Sequence, residues 1–284
     1  MPHFSNKAVI TSAGATHRHL PVQTLTGREG YPVTTLYSQI QELAEAGIQD
    51  IGMVVSPGTE NLYREAAGEH VEKLSFIVQH ERKGYGHAVS LAREFVGPDD
   101  FILMVGDHIF VSQHHAKNCV TQVIEPYLDE RCPVSAVQST HESMIGFFGT
   151  IGGEFFDANR SLYRIHEVIE KPTPTEAEEK LWVPGMRSGH YLCFFGIHLL
   201  TPGIFDHLAP EGESSSFPHF SDALKAYGRD RQYLAVELKG KRYDLENRHG
   251  LLFAQLALAL DSKHRDEVLT GMVELLAANR RTSE

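Results

Sequence analysis

Cysteine, tryptophan, long apolar runs and positive charge are all scarce in this chain, and each shortage excludes something. Three cysteines in 284 residues (Cys119, Cys132, Cys193) are an odd number without metal-ligand spacing. Neither a disulfide framework nor a cysteine zinc site is expected, and reduced thiols in a cytoplasmic setting are the simplest expectation. No apolar stretch reaches the ~18 residues of a membrane-spanning helix. The start, Met1-Pro2-His3-Phe4-Ser5-Asn6-Lys7, lacks a basic segment followed by an apolar core, so no secretory leader is expected. Lys and Arg number 26 against 37 Asp and Glu, a net charge of −11. Nucleic-acid binders gain affinity by neutralising phosphates, and this balance argues against one. A small anionic substrate held by a few local cations is still allowed. Apolar residues at 42% and charged residues at 22% exclude a largely disordered or fibrous chain. The 17 histidines are many but scattered. His114-His115 and the His17/His19 pair have no ligand-like neighbours in sequence, so a zinc site is not expected.

What is present is an alternation of strand-like and helix-like stretches. Residues 7–13 form a short apolar run that ends at Gly14 and predicts a buried strand. A loop over about 14–33 precedes Leu36, Ile40, Leu43 and Ala44, whose spacing predicts a helix over 34–47 stopped by Gly47. Strands are predicted at 51–55, 74–78 and 101–105, with helices at about 57–68 and 85–95 between them. Continuous apolar strands alternating with amphipathic helices argue for a parallel sheet covered on both faces. In such sheets ligands bind beyond the carboxyl ends of the strands, so the segments after Ala13, Val78 and Val105 should gather at one edge. Further on, a helix is predicted at 113–129, strands at 134–137, 148–151, 167–170 and 191–195, and a solvated helix at 176–180. A loop at 211–216 and helices at about 218–227, 247–260 and 264–279 complete the chain. The expected class is α/β: a Rossmann-like mixed, mainly parallel sheet with helices on both faces and a smaller inserted β region. No linker divides it. The reading is one domain over 1–284, in parts at about 7–135 and about 136–260, with a C-terminal helix at about 261–284.

The strand ends carry the candidate chemistry. Gly14 lets the backbone turn and approach a ligand, and Arg18 adds a planar fork of donors suited to phosphate. The loop is neither a Walker A nor a dinucleotide fingerprint. Asp107 follows a buried strand and either holds a ligand-bound Mg²⁺ or caps a turn. Asp244 precedes a helix, where a cap is the ordinary role of an isolated Asp. Gln79, paired donor and acceptor, suits a pyrimidine edge, and Gly84 and Gly86 at a helix start permit close backbone approach. Lys171 in Glu170-Lys171-Pro172 is a point charge for phosphate or part of a surface turn.

The order of these pieces resembles the sugar-1-phosphate nucleotidyltransferases, most closely the bacterial UTP–glucose-1-phosphate uridylyltransferases. The family's Gly-x-Gly-Thr-Arg-x-Leu-Pro is matched by Gly14, Arg18, Leu20 and Pro21. Its Gln with a following Gly-Leu-Gly-His-Ala is matched by Gln79 and Gly84-Tyr85-Gly86-His87-Ala88. Its metal-binding Asp falls on Asp107, its Tyr/Phe-Gly on Phe148-Gly149, its Glu-Lys-Pro on 170–172, and its late Asp on Asp244. The match extends over about 7–260. Departures are Thr16 for the second glycine, His17 for the Thr, Gly27-Arg28 for a Pro-Lys, a missing Lys-Pro near 33–36, and Phe217-Pro218-His219-Phe220-Ser221-Asp222 for an acidic-Ile-Gln-Leu-Thr-Asp stretch.

The resemblance implies an NDP-sugar and pyrophosphate made from an NTP and a sugar 1-phosphate, UTP and glucose 1-phosphate first, by in-line attack on the α-phosphorus. It implies Asp107 and Asp244 as holders of Mg²⁺, Arg18 at the β- and γ-phosphates, and Arg28 near the α-phosphate. Ala13, Gly14, Gln79 and Gly84 would read the base. Lys171 would bind the sugar phosphate, Glu170 a sugar hydroxyl, and Gly149 would let the sugar lie close. The alternatives are a thymidylyl- or cytidylyltransferase of the same plan, or a nucleotide-sugar-binding module without turnover. Neither nucleic acid nor membrane is an expected partner, and a homo-oligomer is allowed.

Overall fold

A computed structural model describes residues 5–14, 19–210 and 217–278. The chain enters through strand β1 (Lys7–Ser12), whose Ala8, Val9 and Ile10 are wholly buried. Apolar residues on both faces suit a central strand covered by helices on each side. A small antiparallel pair, β2 (Thr24–Thr26) and β3 (Pro32–Thr34), leads into helix α1 (Thr35–Glu45). Thr34 caps α1: its hydroxyl accepts the Tyr37 N–H at 3.0 Å. Then follow β4 (Asp50–Val55), α2 (Glu60–Ala67), β5 (Leu74–Val78), the short helices α3 (Tyr85–Ser90) and α4 (Arg93–Val96), and β6 (Phe101–Val105). The single helix expected over 85–95 is thus broken after Ser90. Strand β7 (His108–Ser112) precedes α5 (Cys119–Glu130). The latter starts six residues later than its apolar pattern predicts. The Ser112 hydroxyl, bonded to the His114 N–H and the Lys117 carbonyl, holds the intervening turn, and Asn118 supplies the cap.

The second half runs through β8 (Val134–His141), β9 (Gly149–Asp157), β10 (Leu162–Glu170), α6 (Pro174–Lys180) and β11 (His190–Leu200). It ends with α7 (Phe220–Arg229), β12 (Leu234–Glu237), β13 (Gly240–Asp244), α8 (Gly250–Leu260) and α9 (Arg265–Ala278).

Nine strands form one sheet in the order β5-β4-β1-β6-β11-β8-β12-β10-β9. This corrects two expectations. The sheet is not mainly parallel. Four pairings are parallel (β5–β4, β4–β1, β1–β6, β8–β12) and five are antiparallel, beginning where β11 meets β6. An apolar run reports burial on both faces, not strand direction, so the sequence pattern carries no sign of the reversal. Nor is the later β region a separate insertion. β9 and β10 continue the same sheet, and Thr150 and Ile151 return to Cys193 and Leu192 of β11, closing β11-β8-β12-β10-β9 into a circuit.

One apolar cluster lies under α1, α2 and α5 and another under α3, α4 and α7. A third, with Leu25, Ile109, Val111, Leu245, Ala254 and Leu258, seats α8 on the two-stranded β7–β13 ribbon. None of the residues of α9 is buried.

Candidate active site

A cleft of about 760 Å³ opens where β1, β5 and β6 end, and runs across to the start of β9 and the end of β10. Ala13, Gly14, Gln79, Gly84, Asp107, Gly149, Glu170, Lys171 and Asp244 all line it. The predicted gathering of the segments after β1, β5 and β6 is therefore observed. Arg18 lies outside the described residues, together with Ala15, Thr16 and His17. Arg28 is a correction. It does not line the cleft but is engaged by Asp261 at 3.2 Å and Glu45 at 3.7 Å, behind α1.

Two short segments some 130 residues apart in sequence build the acidic corner. In the β7–β13 ribbon Asp244 stands opposite His108, and the Leu245 N–H donates to the Asp107 carbonyl at 2.9 Å. The two aspartates thus hang from hydrogen-bonded neighbouring backbones. The Asp107 carboxylate lies 2.6 Å from His108 Nδ1. Asp244 does cap a turn as its sequence context suggests: Oδ1 accepts the Glu246 N–H and Oδ2 the Asn247 amide, each at 2.9 Å. Each of its oxygens keeps a second lone pair. The turn bearing Asp107 is clamped from behind by Gln39, whose Nε2 donates to the His108 carbonyl at 2.7 Å.

At the other side of the parallel edge sits Gln79, only 3% exposed. Its amide nitrogen lies 2.9 Å from His87 Nδ1 and 3.4 Å from the Gly84 carbonyl. Burial, then the nearby Lys83 charge, lower the His87 pKa. A neutral ring accepting at Nδ1 takes one amide hydrogen and the carbonyl takes the other, so the side-chain oxygen is what Gln79 has left to offer.

Across the cleft Gly149 pairs with Glu170. A Cβ at Gly149 would come within 2.9 Å of Phe194, 3.0 Å of the Ser221 hydroxyl and 3.1 Å of the Glu170 carboxylate. Only glycine lets these three close in. Ser221 donates to Glu170 at 2.5 Å. Lys171 follows with φ of +47°, left-handed backbone that side chains rarely adopt, and its N–H donates to the Phe148 carbonyl at 3.1 Å.

Residues 7–258 match the sequence pattern of the nucleotidyl transferase family. The chain belongs to that family. A UTP–glucose-1-phosphate uridylyltransferase 2 of Staphylococcus saprophyticus is 27% identical over 300 residues, covering 96% of this chain and 98% of that one. A UTP–glucose-1-phosphate uridylyltransferase of Staphylococcus haemolyticus is 27% identical over 297 residues, covering 95% and 98%. Among solved structures, UTP-bound UDP-glucose pyrophosphorylase from Acinetobacter baumannii superposes with a TM-score of 0.74 at 21% identity, covering 96% of this chain and all of that one. A UDP-glucose pyrophosphorylase complexed with UDP-glucose gives 0.71 at 24%, covering 90% and 98%. These likenesses show the fold of the nucleotidyltransferase.

The donor set fits a hard cation. Among the described residues no three His, Cys, Asp or Glu side chains converge on a metal position. Two carboxylates alone suit an ion that completes its shell with substrate phosphate oxygens and water, as Mg²⁺ does, and do not suit a zinc cage.

Several cleft residues escaped the sequence reading. Arg82 and Lys83 line the cleft beside Gly84, and their position straight after the β5 strand end was the signal. His198 sits under Phe194 and Phe220, bonded through Nδ1 to Ser135 at 2.6 Å, and burial lowers its pKa to about 3. It is a neutral hydrogen-bonding group there. No short motif surrounds it, and the predicted strand 191–195 stops short of it, whereas β11 runs on as one buried stretch to Leu200. Arg242 is likewise enclosed, with its pKa drawn down to about 10 by burial, and keeps its charge at neutral pH.

Proposed function

We propose that the enzyme transfers a nucleotidyl group from a nucleoside triphosphate, UTP first, to a sugar 1-phosphate, glucose 1-phosphate first, releasing pyrophosphate. One observation carries the reading. Asp107 and Asp244, carried on backbones joined by the Leu245–Asp107 hydrogen bond, both line a cleft that also contains Glu170, Lys171 and Gln79. The family and the uridylyltransferases among its relatives support it.

The reaction is an in-line displacement. A phosphate oxygen of the sugar phosphate bonds to the α-phosphorus while the bond to the β-phosphate oxygen breaks, and pyrophosphate leaves with the electron pair. That nucleophile is already ionised at pH 7, so the protein needs no general base. Its work is alignment and charge neutralisation. Asp107 and Asp244 would hold Mg²⁺, which when bound offsets the charge of the two approaching phosphates. Lys171 would bind the sugar phosphate, with Glu170, oriented by Ser221, on a sugar hydroxyl. Gly149 would leave room for the ring. Ala13 and Gly14 would face the base through their backbone. Arg18 would neutralise the β- and γ-phosphates. Arg82 and Lys83, which line the cleft, would supply the positive charge expected of Arg28.

Base choice follows from Gln79 and Gly84. A side-chain oxygen as the group on offer accepts from the N3–H of uracil or thymine. Cytosine has an acceptor at N3 and would face it unfavourably. Pyrophosphate release with each NTP and a panel of sugar 1-phosphates tests the whole proposal. Turnover with UTP or TTP is expected. Binding of nucleotide sugar without turnover would instead identify a binding module.

A second copy of the chain is proposed to cover α8 and α9. Leu252, Phe253, Val273 and Leu276 stand 52–72% exposed there. The segment Gly250–Leu260 holds no charge, the charge-depleted composition that suits the core of an interface. A light-scattering mass that stays at 31.7 kDa at all accessible concentrations would refute it.

A further inference from the structure

We infer that Arg242 is a positioning residue that sets the sugar-phosphate side of the cleft against the acidic corner, an inference that rests on the function proposed above. In-line transfer requires both sides to be in register to within a fraction of an ångström, because reactivity falls steeply with misplacement. The two sides come from different parts of the sheet. The acidic corner belongs to β7 and β13, and the sugar-phosphate side to β9, β10 and β11. Few side chains reach from one to the other, and Arg242 does so with its charged group.

Arg242 lies on β13 two residues before Asp244, and alternation along a strand puts the two side chains on one face. Its Nη1 donates to the Phe194 carbonyl of β11 at 2.6 Å. Its guanidinium carbon lies 3.8 Å from the centre of the Phe148 ring. Phe148 is in turn the residue whose carbonyl accepts the Lys171 N–H, and it immediately precedes Gly149. Phe194 is the ring against which Gly149 packs. The guanidinium thus touches both residues that define where Gly149 and Lys171 stand, while its own strand carries Asp244. A planar cation both stacks on a ring and donates in its plane, which an ammonium cannot do at once. Nothing in this arrangement touches the nucleotide side, where Gln79 and Gly84 sit.

The test compares wild type, Arg242→Met and Arg242→Lys by pyrophosphate release, with KM measured separately for the sugar 1-phosphate and for the NTP. Arg242→Met should raise the sugar-phosphate KM by about 10- to 100-fold, the range expected for losing a desolvated cation–π contact and a charged hydrogen bond. The NTP KM should stay within about twofold. Arg242→Lys should recover part of the loss. Phe148→Leu, which leaves β13 untouched, should reproduce the split, and the double variant should show less than the product of the two effects. A fall in kcat with both KM values unchanged would mean only fewer folded molecules and would overturn the inference, as would two KM values rising together. Wild-type protein that releases no pyrophosphate from any substrate pair would sink the proposed function instead. The Arg242–Phe148 contact would then be judged by a double-mutant cycle in unfolding, where absence of coupling overturns it.

Discussion

The two sides of the cleft are built on opposite principles. The nucleotide side hangs from β1, β5 and β6, regular parallel strands tied together through β4, with β1 and β6 almost wholly buried. Its functional groups sit just past strand ends, where the backbone turns without strain. The sugar-phosphate side is antiparallel and irregular. Lys171, which is not a glycine, has φ of +47°, β11 shifts register against β8 between Phe194 and His198, and Gly149 is hemmed in by Phe194, Ser221 and Glu170. Residues held in sparsely populated conformations cost roughly 1–3 kcal/mol each and persist where the surroundings over-determine them. A nucleotide can be grasped by backbone at strand ends. If Lys171 and Glu170 hold a sugar phosphate as proposed, they are set at a point of that side where a non-glycine backbone is left-handed.

The acidic corner belongs to neither side alone, so damage there should be felt by both substrates. Asp107→Ala or Asp244→Ala is expected to lower kcat by about 10²–10³-fold, the usual effect of removing one electrostatic partner of a transition state. Asp244→Asn separates chemistry from folding. Its amide oxygen can still accept the Glu246 N–H, so the unfolding temperature should hold while turnover falls. A Mg²⁺ titration on each variant checks the assignment, and wild-type turnover at saturating Mg²⁺ would remove the aspartates from the mechanism.

Next in size is a prediction confined to the strained side. Lys171→Gly removes the ammonium and relieves the left-handed backbone at once. The sugar-phosphate KM should rise about 10-fold or more, as for loss of a charge-assisted contact to phosphate, with little change in the NTP KM. Thermal stability should rise slightly. Lys171→Met removes the charge and keeps the strain, so it should show the same KM change without the gain. If both variants raise the two KM values alike, the division of labour drawn above is wrong.

These asymmetries also explain what was legible in the sequence. Along residues 7–105 every strand but the short β2 and β3, which fall in the expected loop over about 14–33, is an apolar run followed by a helix or a ligand-side turn, so the order of the main elements, the Gly47 stop and the gathering of Gly14, Gln79 and Asp107 at one edge could all be read. Local pattern fails where partners are distant. His108–Ser112 follows Phe101–Val105 after only a turn, and Gly240–Asp244 carries no apolar run, so neither announces itself as a strand, and only their mutual pairing, across some 130 residues, makes the ribbon that bears Asp244 beside the turn of Asp107. The reversal at β11 leaves no trace in composition. Arg28 stood beside a glycine at the place of a family cation, yet Glu45 and Asp261 satisfy it behind α1. Charge type was legible there, but the tertiary partner was not. Gln79 was legible by type as a paired donor and acceptor at the cleft. Which of its atoms is on offer depends on His87 and the Gly84 carbonyl, which the sequence could not show.

The smallest effect on turnover, and a check that the nucleotide side is the better-packed one, concerns Glu42. It lies on α1 away from the cleft, buried, with its carboxylate accepting the Cys119 and Val120 N–H groups at 2.6 and 3.1 Å at the start of α5. Burial is the largest influence and raises its pKa from 4.5 to about 7, against the opposing pull of the Val120 hydrogen bond and Arg28. A carboxyl whose pKa is raised on folding favours the native state while protonated. That contribution is whole below about pH 4.5 and is lost as pH rises through about 7, a change on the order of 3 kcal/mol at most. Glu42→Gln keeps an oxygen for the two N–H groups and cannot ionise. The difference in unfolding free energy between wild type and Glu42→Gln should therefore grow with pH between about 4.5 and 7 and then level off, with the variant the more stable at the alkaline end. Its kcat should match wild type throughout. Parallel stability curves over that window would show that the carboxyl ionises there as freely as in water, and that the packing behind α1 is looser than its burial implies.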